Sequence, residues 1–385
     1  MERRRIEPRE GWQRKAEAVG FGFHEMYGEP YWLDDTYYRF SLAEIEAEIE
    51  APTQALHALC LDLAAEVAAS DALMARLDIP PEQFDVVRRS FREREPSLYG
   101  RFDLAYDGRG PAKLLEYNAD TPTGIFEAAY FQHNWLTDQI ALGRLPGDAD
   151  QFNLLQESLV AAFAAFPADR IFHFAAVTAS DEDRGTAAYL MDCAVQAGHH
   201  TALIDMGSIG VDALGRFTDP NERVIDRCFK LYPWEDMMRE PFARHLDGSG
   251  TQWVEPPWKA ILSNKGILPL LWERHPGHPN LLPAFFADDP RAGSLERSVR
   301  KPFFSREGEN IAILEGGREA EATGGDYGAG RRIVQELTPL FEADGQFAVL
   351  GAWVVGDEAA GLGIREDRSR ITRNLSRFVP HAIEG

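Results

Sequence analysis

Apolar residues recur at helical spacing through Ile45, Ile49, Leu56, Leu59 and Leu63. They follow Ser41 and Glu44, whose S-x-x-E spacing makes a capping box, so the pattern predicts a long helix from about residue 42 to 69. A second helical stretch, PEQFDVVRRSF, begins after Pro80. The texture then changes. In residues 99–118, YGRFDLAYDGRGPAKLLEYN, the run RFDLAY alternates apolar and polar positions and KLLEYN is short and apolar. DGRGPA between them has turn composition, so a β-hairpin is expected. TPTGIFEAAYFQHNW reads as a loop entering a helix.

Residues 155–245 alternate differently. LQESLVAAFAAF is helical, RIFHFAAVT is a strand ending in the polar loop ASDEDRG, and TAAYLMDCAVQAG is a helix closed by Gly198. The strand HTALIDM, the hairpin-like ALGRFTD and the strand VIDRCFKLY follow. Strands alternating with helices predict a small parallel sheet, with ligands at the carboxyl ends of its strands. From about residue 255 come EPPWKAILSNKGILPLLW, VRKPFFSREGENIAILEGG, RRIVQELTPL and QFAVLGAWVVGDEAAGLGIRED; the last is a long hairpin turning at Gly356–Asp357. No linker of domain scale interrupts the chain. The expected division is a helical region over 1–98, a hairpin and following helix over 99–154, an α/β subdomain over 155–250 and a further lobed region over 251–385.

Composition narrows the function. The 385 residues are 44% hydrophobic, enough for one large core or several smaller ones. Forty basic against 62 acidic residues leave a formal charge of −22, which repels phosphate backbones and argues against nucleic-acid binding. Cys60, Cys193 and Cys228 are far apart and form no CxxC, so thiols in a reducing compartment are expected. No apolar run approaches the ~20 residues of a membrane span, and MERRRIEPREGWQRK lacks the apolar core of a signal peptide. The sequence therefore predicts a cytoplasmic protein with no membrane partner.

The hairpin carries unusual chemistry. Side chains alternate faces along a strand, so Arg101 and Asp103 share one face and Glu116 and Asn118 share another. If the register joins those faces, two carboxylates and an amide oxygen form a hard donor set of the kind Mg²⁺ takes. Arg101 beside them suits a phosphoryl oxygen. A solvated edge hairpin with a surface salt bridge accounts for the same residues. No P-loop or GxGxxG motif occurs. Instead Lys265 and Lys301 lie in apolar runs, where they either reach inward to phosphates or snorkel to water. The loop SREGENI after Lys301 can fold backbone N–H groups over phosphates, or be a plain turn. Gln335 and Glu336 interrupt a strand-like run and could serve an adenine or ribose. Arg365, alone, is a surface arginine.

In order and spacing, YGRFD, LLEYNADTPTG, YPWE, EPPWKAILSNKGILPLLW, VRKPFFSREGENI, VQEL and GIRED resemble the synthetase domain of the glutathionylspermidine synthase family, within the ATP-grasp superfamily. The resemblance spans residues 99–366. It implies an α/β fold in which ATP lies between two α+β lobes, with a small parallel α/β subdomain inserted. The implied activity is ADP-forming ligation of a glutathione-like carboxylate to a polyamine-like amine. It implies that Asp103, Glu116 and Asn118 hold Mg²⁺, that Lys265 and Lys301 contact ATP phosphates, and that Ser305, Gly308 and Asn310 belong to a loop over them. Gln335 and Glu336 would lie near the adenine. Arg101 and Arg365 would stabilise the phosphoryl group and the tetrahedral intermediate. Thr121 and Thr123 would lie near the peptide, and Asp181, Glu182 and Asp183 near the amine; acids at a helix start also answer its dipole. The family's bifunctional members carry an N-terminal cysteine amidase, for which there is no room before residue 42. Two other readings compete: a non-catalytic ATP-binding regulatory module, and a hydrolase built on Asp103 and Glu116.

Overall fold

The computed structural model describes residues 1–26, 28–328 and 330–385. Two antiparallel sheets and one parallel sheet organise the chain. The hairpin forms as strands Tyr99–Ala105 and Lys113–Asn118, with Arg101 opposite Asn118 and Asp103 opposite Glu116. Only its second strand lies at an edge. The first pairs on its other side with Gln346–Val355, which continues to Glu358–Asp367 and then Arg377–Val379. The long hairpin turning at Gly356–Asp357 is therefore the spine of the sheet that carries Arg101 and Asp103.

A second antiparallel sheet is built in the order Ala284–Phe286, Arg332–Glu336, Arg297–Pro302, Ala312–Glu315 and Arg318–Ala322. Lys301 and Gln335 are interior to it, on neighbouring strands. Gln335 and Glu336 complete the strand Arg332–Glu336 rather than interrupt it. After them, residues 337–340 cross to Phe341–Ala343 in the first sheet. The two sheets thus face one another across a cleft with a single short connection on this side.

The parallel sheet runs Gln252–Val254, Arg227–Leu231, Phe172–Ala176, Thr201–Asp205. The first strand in sequence, Phe172–Ala176, is fully buried and feeds helix Asp181–Gln196, which Ser180 caps by accepting from the Asp183 amide at 3.2 Å. The loop after Phe172–Ala176 and the segment after Arg227–Leu231 lie at the carboxyl edge, as expected of such sheets.

The predicted long helix is present, with a π-helical turn at Glu46–Glu50 between Leu42–Ile45 and Ala51–Ala68. Its buried face, through Ile45, Ile49, Leu56, Cys60 and Leu63, joins the main core. The region before it is not wholly helical. Glu2–Arg5 and Thr36–Phe40 are strands, and the second pairs with His381–Ile383. These pairings join the ends of the chain, a long-range contact that no local pattern encodes. All three cysteines are buried and free.

The quoted motif EPPWK supports the hairpin from behind. Buried Glu255 accepts hydrogen bonds from the Leu98 and Tyr99 amides, both at 3.0 Å, and Lys259 donates to the Tyr99 carbonyl at 2.6 Å. Glu255 and Lys259 are themselves paired at 2.8 Å. Removing either would strand a buried charge, so this pair fixes where the strand bearing Arg101 begins.

Candidate active site

The hairpin register brings its two polar faces together. The Arg101 guanidinium grips Asp103 through two hydrogen bonds, Nε at 2.6 Å and Nη2 at 3.1 Å, and donates through Nη1 to the Thr123 carbonyl at 2.7 Å. Asn118 Nδ2 reaches Asp103 at 3.2 Å and Glu116 at 3.3 Å. Gly351 on the neighbouring strand makes room for this arginine: a Cβ there would lie 2.8 Å from Arg101 Cδ. Burial pushes the Asp103 carboxyl above its ordinary range, and Arg101 only partly offsets it.

The second sheet supplies Lys301, and the turn before helix Ile267–Arg274 supplies Lys265. Lys265 Nζ lies 3.0 Å from Glu116 and donates to the Ser305 carbonyl at 2.6 Å. Lys301 Nζ donates to the Leu115 carbonyl at 3.0 Å and to Gln335 Oε1 at 2.8 Å. Both lysines are buried, which rules out snorkelling. Burial alone would raise the Glu116 carboxyl, but Lys265 and Lys301 outweigh it and hold Glu116 down at about 2. Burial, with Lys265 adding to it, pushes Lys301 down to about 8.

These groups line a cleft of about 280 Å³ between the two sheets. Its charged end holds Asp103, Glu116, Lys265 and Lys301, and its apolar walls include Val299, Ile313, Leu337, Phe347 and Val349. Glu336 and Gln335 line it as well, and the Gln335 side chain spans from Lys301 to the Leu114 carbonyl, at 2.9 Å from the latter, and so also serves as a strut. Ser305 and Gly308 line the cleft from the loop. Among the described residues, the Ser305 hydroxyl and Asn310 Oδ1 are buried with no hydrogen-bond partner, a cost that a ligand could relieve. Gly308, at φ +69°, packs so closely on the carbonyl of Thr372 that a Cβ would lie 2.2 Å from it. The loop also reaches the parallel sheet: Arg306 pairs with Glu235 at 2.7 Å.

Arg365 is no surface arginine. Its Nη2 donates to the carbonyls of Arg373 and Asn374 at 2.7 and 2.9 Å, and it shares a small cavity with Arg101, Asp103, Thr123 and Tyr31. Thr121 lies outside both cavities. The acidic trio is divided. Asp181 is exposed and paired with Arg184 at 2.5 Å, while Glu182 and Asp183 are half-buried and Glu182 acts electrostatically on Glu127, Asp183 and Glu307. Burial, with Glu182 next, pushes Asp183 up to about 6.

Several lining residues had no sequence signal. Arg297 and Arg370 border the cleft, Arg306 ties the loop to Glu235, and Tyr31 borders the arginine cavity with Glu127 accepting from its hydroxyl. Only the position of Glu127, just after NADTPTG, hinted at its place.

Among the described residues, no group of three or more His, Cys, Asp and Glu side chains is placed to hold a metal ion. Two carboxylates and one amide remain, a set that suits Mg²⁺ because that ion keeps waters and takes substrate phosphates as further ligands. Asn118 would have to turn its oxygen inward, exchanging its present donor contacts to Asp103 and Glu116 for the cation between them.

The glutathionylspermidine synthase preATP-grasp family matches residues 3–384. The chain belongs to the glutathionylspermidine synthase family. A Haemophilus influenzae protein with a provisional acid–amine ligase name is 39% identical over 94% of both chains. Trypanothione synthetase of Crithidia fasciculata is 30% identical, covering 86% of this chain and 54% of its own length. The bifunctional glutathionylspermidine synthetase/amidase of Escherichia coli K12 is 29% identical, covering 90% of this chain and 59% of its own. The chain thus spans little more than half of these last two relatives. Among solved structures, a glutathione synthetase-like effector from Globodera pallida superposes with a TM-score of 0.55 at 10% identity over 90% of this chain and 89% of its own. The fold is accordingly mixed α/β of the glutathione synthetase-like, ATP-grasp type, and the chain is a ligase that forms C–N bonds. No helix among the described residues is long and apolar enough to cross a membrane.

Proposed function

We propose that the protein activates a glutathione-like peptide carboxylate with MgATP and joins it to a polyamine-like amine. The observation that carries this is the convergence of Arg101, Asp103, Glu116, Lys265 and Lys301 at one end of the cleft between the two sheets. That end combines hard oxygen donors with fixed cations, which is what transfer of a phosphoryl group to a carboxylate requires.

In this reading Asp103, Glu116 and Asn118 hold Mg²⁺, which on binding supplies charge neutralisation to the phosphates. Lys265 and Lys301 hold phosphate oxygens. The apolar walls and Glu336 take the base, with Gln335 steadying Lys301 from behind. Arg101 and Arg365, on two sides of the small cavity, orient the carboxylate and then hold the oxyanion of the tetrahedral intermediate. Ser305, Gly308 and Asn310 exclude water, since an acyl phosphate hydrolyses if exposed. Thr123 borders the peptide in the small cavity, and Thr121 lies outside that cavity on the same segment. Glu182 and Asp183, rather than Asp181, attract the cationic amine. The relatives' names support this pair of substrates.

The test is ADP release with MgATP, glutathione and spermidine. Release that requires both is expected; release with neither, in a protein that binds MgATP, would favour a regulatory module.

Nucleotide affinity should also fall with pH. Lys301 must be charged to hold phosphate, and burial places its proton loss near pH 8. Above that, the free protein has to regain a proton on binding. The MgATP dissociation constant is expected to rise toward about tenfold per pH unit. Calorimetry between pH 7 and 9.5 checks this, and Lys301→Arg should flatten the profile.

A further inference from the structure

Among the described residues, no cation is paired with the buried carboxylate of Glu127. This residue begins the helical segment Glu127–Phe131 and is 1% exposed. Its Oε1 accepts a 2.7 Å hydrogen bond from the Tyr31 hydroxyl, and Tyr31 is also buried. Tyr31 lines the small cavity that holds Arg101, Asp103, Thr123 and Arg365. The other charged groups facing the Tyr31–Glu127 pair are Glu182, from the first turn of helix Asp181–Gln196, and Arg365, from strand Glu358–Asp367. Burial, reinforced by Glu182, pushes the Glu127 carboxyl up to about 7, against the pull of Tyr31 and Arg365. A carboxylate kept there without a counter-ion is costly and calls for a use.

Amide formation supplies one. The nitrogen must present a lone pair and shed a proton as the C–N bond forms, and a base near neutrality serves best. Other acids nearby are committed elsewhere: Asp103 is clasped by Arg101 and Glu116 by Lys265. Glu182 and Asp183 are half-buried in the first turn of helix Asp181–Gln196, and the reading above uses their charge to hold a cation.

We propose that Tyr31 and Glu127 are the proton acceptor for the attacking amine, with Tyr31 touching the nitrogen and Glu127 taking the proton through it. The neutral amine's lone pair forms the C–N bond to the acyl carbon. The acyl C–O bond to phosphate breaks, and inorganic phosphate leaves with that electron pair. One N–H proton passes to Tyr31 Oη as the Tyr31 proton passes to Glu127, which later releases it to water. The scheme rests on the acyl-phosphate reading above.

Glu127→Gln keeps an acceptor oxygen for Tyr31 but cannot take a proton. With glutathione and spermidine, kcat is expected to fall about 10²-fold or more, with KM for MgATP unchanged. Tyr31→Phe should lose as much, and the double variant no more than either. The wild-type rise of kcat toward neutral pH should vanish in Glu127→Gln. Hydroxylamine is a strong nucleophile that is neutral at assay pH and relies little on a base. The ratio of spermidine to hydroxylamine product should therefore fall about 10²-fold in Glu127→Gln. Equal loss in both reactions would mark a structural role and overturn the proposal, as would an undiminished kcat. A wild-type enzyme that yields no hydroxamate from MgATP, glutathione and hydroxylamine would instead overturn the acyl-phosphate reading with glutathione. A substrate-free measurement then decides for Tyr31 and Glu127: an infrared carboxyl titration, wild type minus Glu127→Gln. A midpoint near neutrality supports the proton acceptor, and one in the ordinary carboxylate range overturns it.

Discussion

Asp103→Ala is expected to lower acid- and amine-dependent ADP release by about 10²–10³-fold while leaving the fold intact. The size follows from what one carboxylate does twice. It is one of only two acidic oxygen donors at the charged end of the cleft, and it fixes Arg101 through two hydrogen bonds. Without it the guanidinium keeps the Thr123 carbonyl and the ring of Trp353, 5.5 Å away, but loses its aim. Stability should fall less than for a fully enclosed pair, because the Arg101 and Asp103 side chains keep access to water at 14% and 15% exposure. The check is a coupled ADP assay beside a denaturation curve. Arg101→Ala should cost a similar factor, and the double variant less than the product of the two, since each residue works through the other. A protein that bound MgATP only to regulate a partner would show no such loss, having no acid-dependent rate to lose. A denaturation midpoint that dropped sharply would instead place Asp103 among the structural carboxylates.

The contrast with Gln335 shows what the sequence could carry. Asp103 and Glu116 were legible because period-2 alternation and one turn fix their register, and the register is all that joins them. The lysines were legible as residues out of place in apolar runs. What local patterns omit is contact at long range. Nothing near Gln335 announces that its amide spans from Lys301 to the Leu114 carbonyl. Arg365 read as an isolated surface residue because its partners, the carbonyls of 373–376, belong to a loop without motif. The acidic trio looked uniform in sequence, yet helix geometry turns Asp181 to solvent and leaves Glu182 and Asp183 half-buried. Tyr31 lies in a region with no periodic signal at all. The strands at the chain's two ends escaped for the same reason: their pairing spans more than three hundred residues, and each strand alone is short.

The second large effect concerns stability. Asp120, two residues beyond Asn118, is expected to be indispensable for a reason unrelated to chemistry. Its carboxylate accepts from the Lys230 ammonium at 2.6 Å and from the Trp234 amide at 2.9 Å, with both charged side chains essentially inaccessible. Lys230 also lies 4.2 Å from the Trp234 ring centroid and donates to the Tyr232 carbonyl at 2.8 Å. This cluster fastens the carboxyl end of the parallel strand Arg227–Leu231 to the end of the hairpin that carries Asp103 and Glu116. Burial pushes Asp120 up and Lys230 down, so each depends on the other to stay charged. Asp120→Ala would leave an ammonium buried with one carbonyl and a ring, at a cost of about 3–5 kcal/mol. Asp120→Asn should lose less, since the amide still accepts from Trp234. Asp120→Ala with Lys230→Met removes both charges and is expected to recover much of the loss, because the pair's own desolvation disappears with it. Chemical denaturation of the three variants checks the order. If the single and double variants were equally destabilised, the cluster's contribution would be packing rather than charge, and YNADTPTG would join hairpin to subdomain by shape alone.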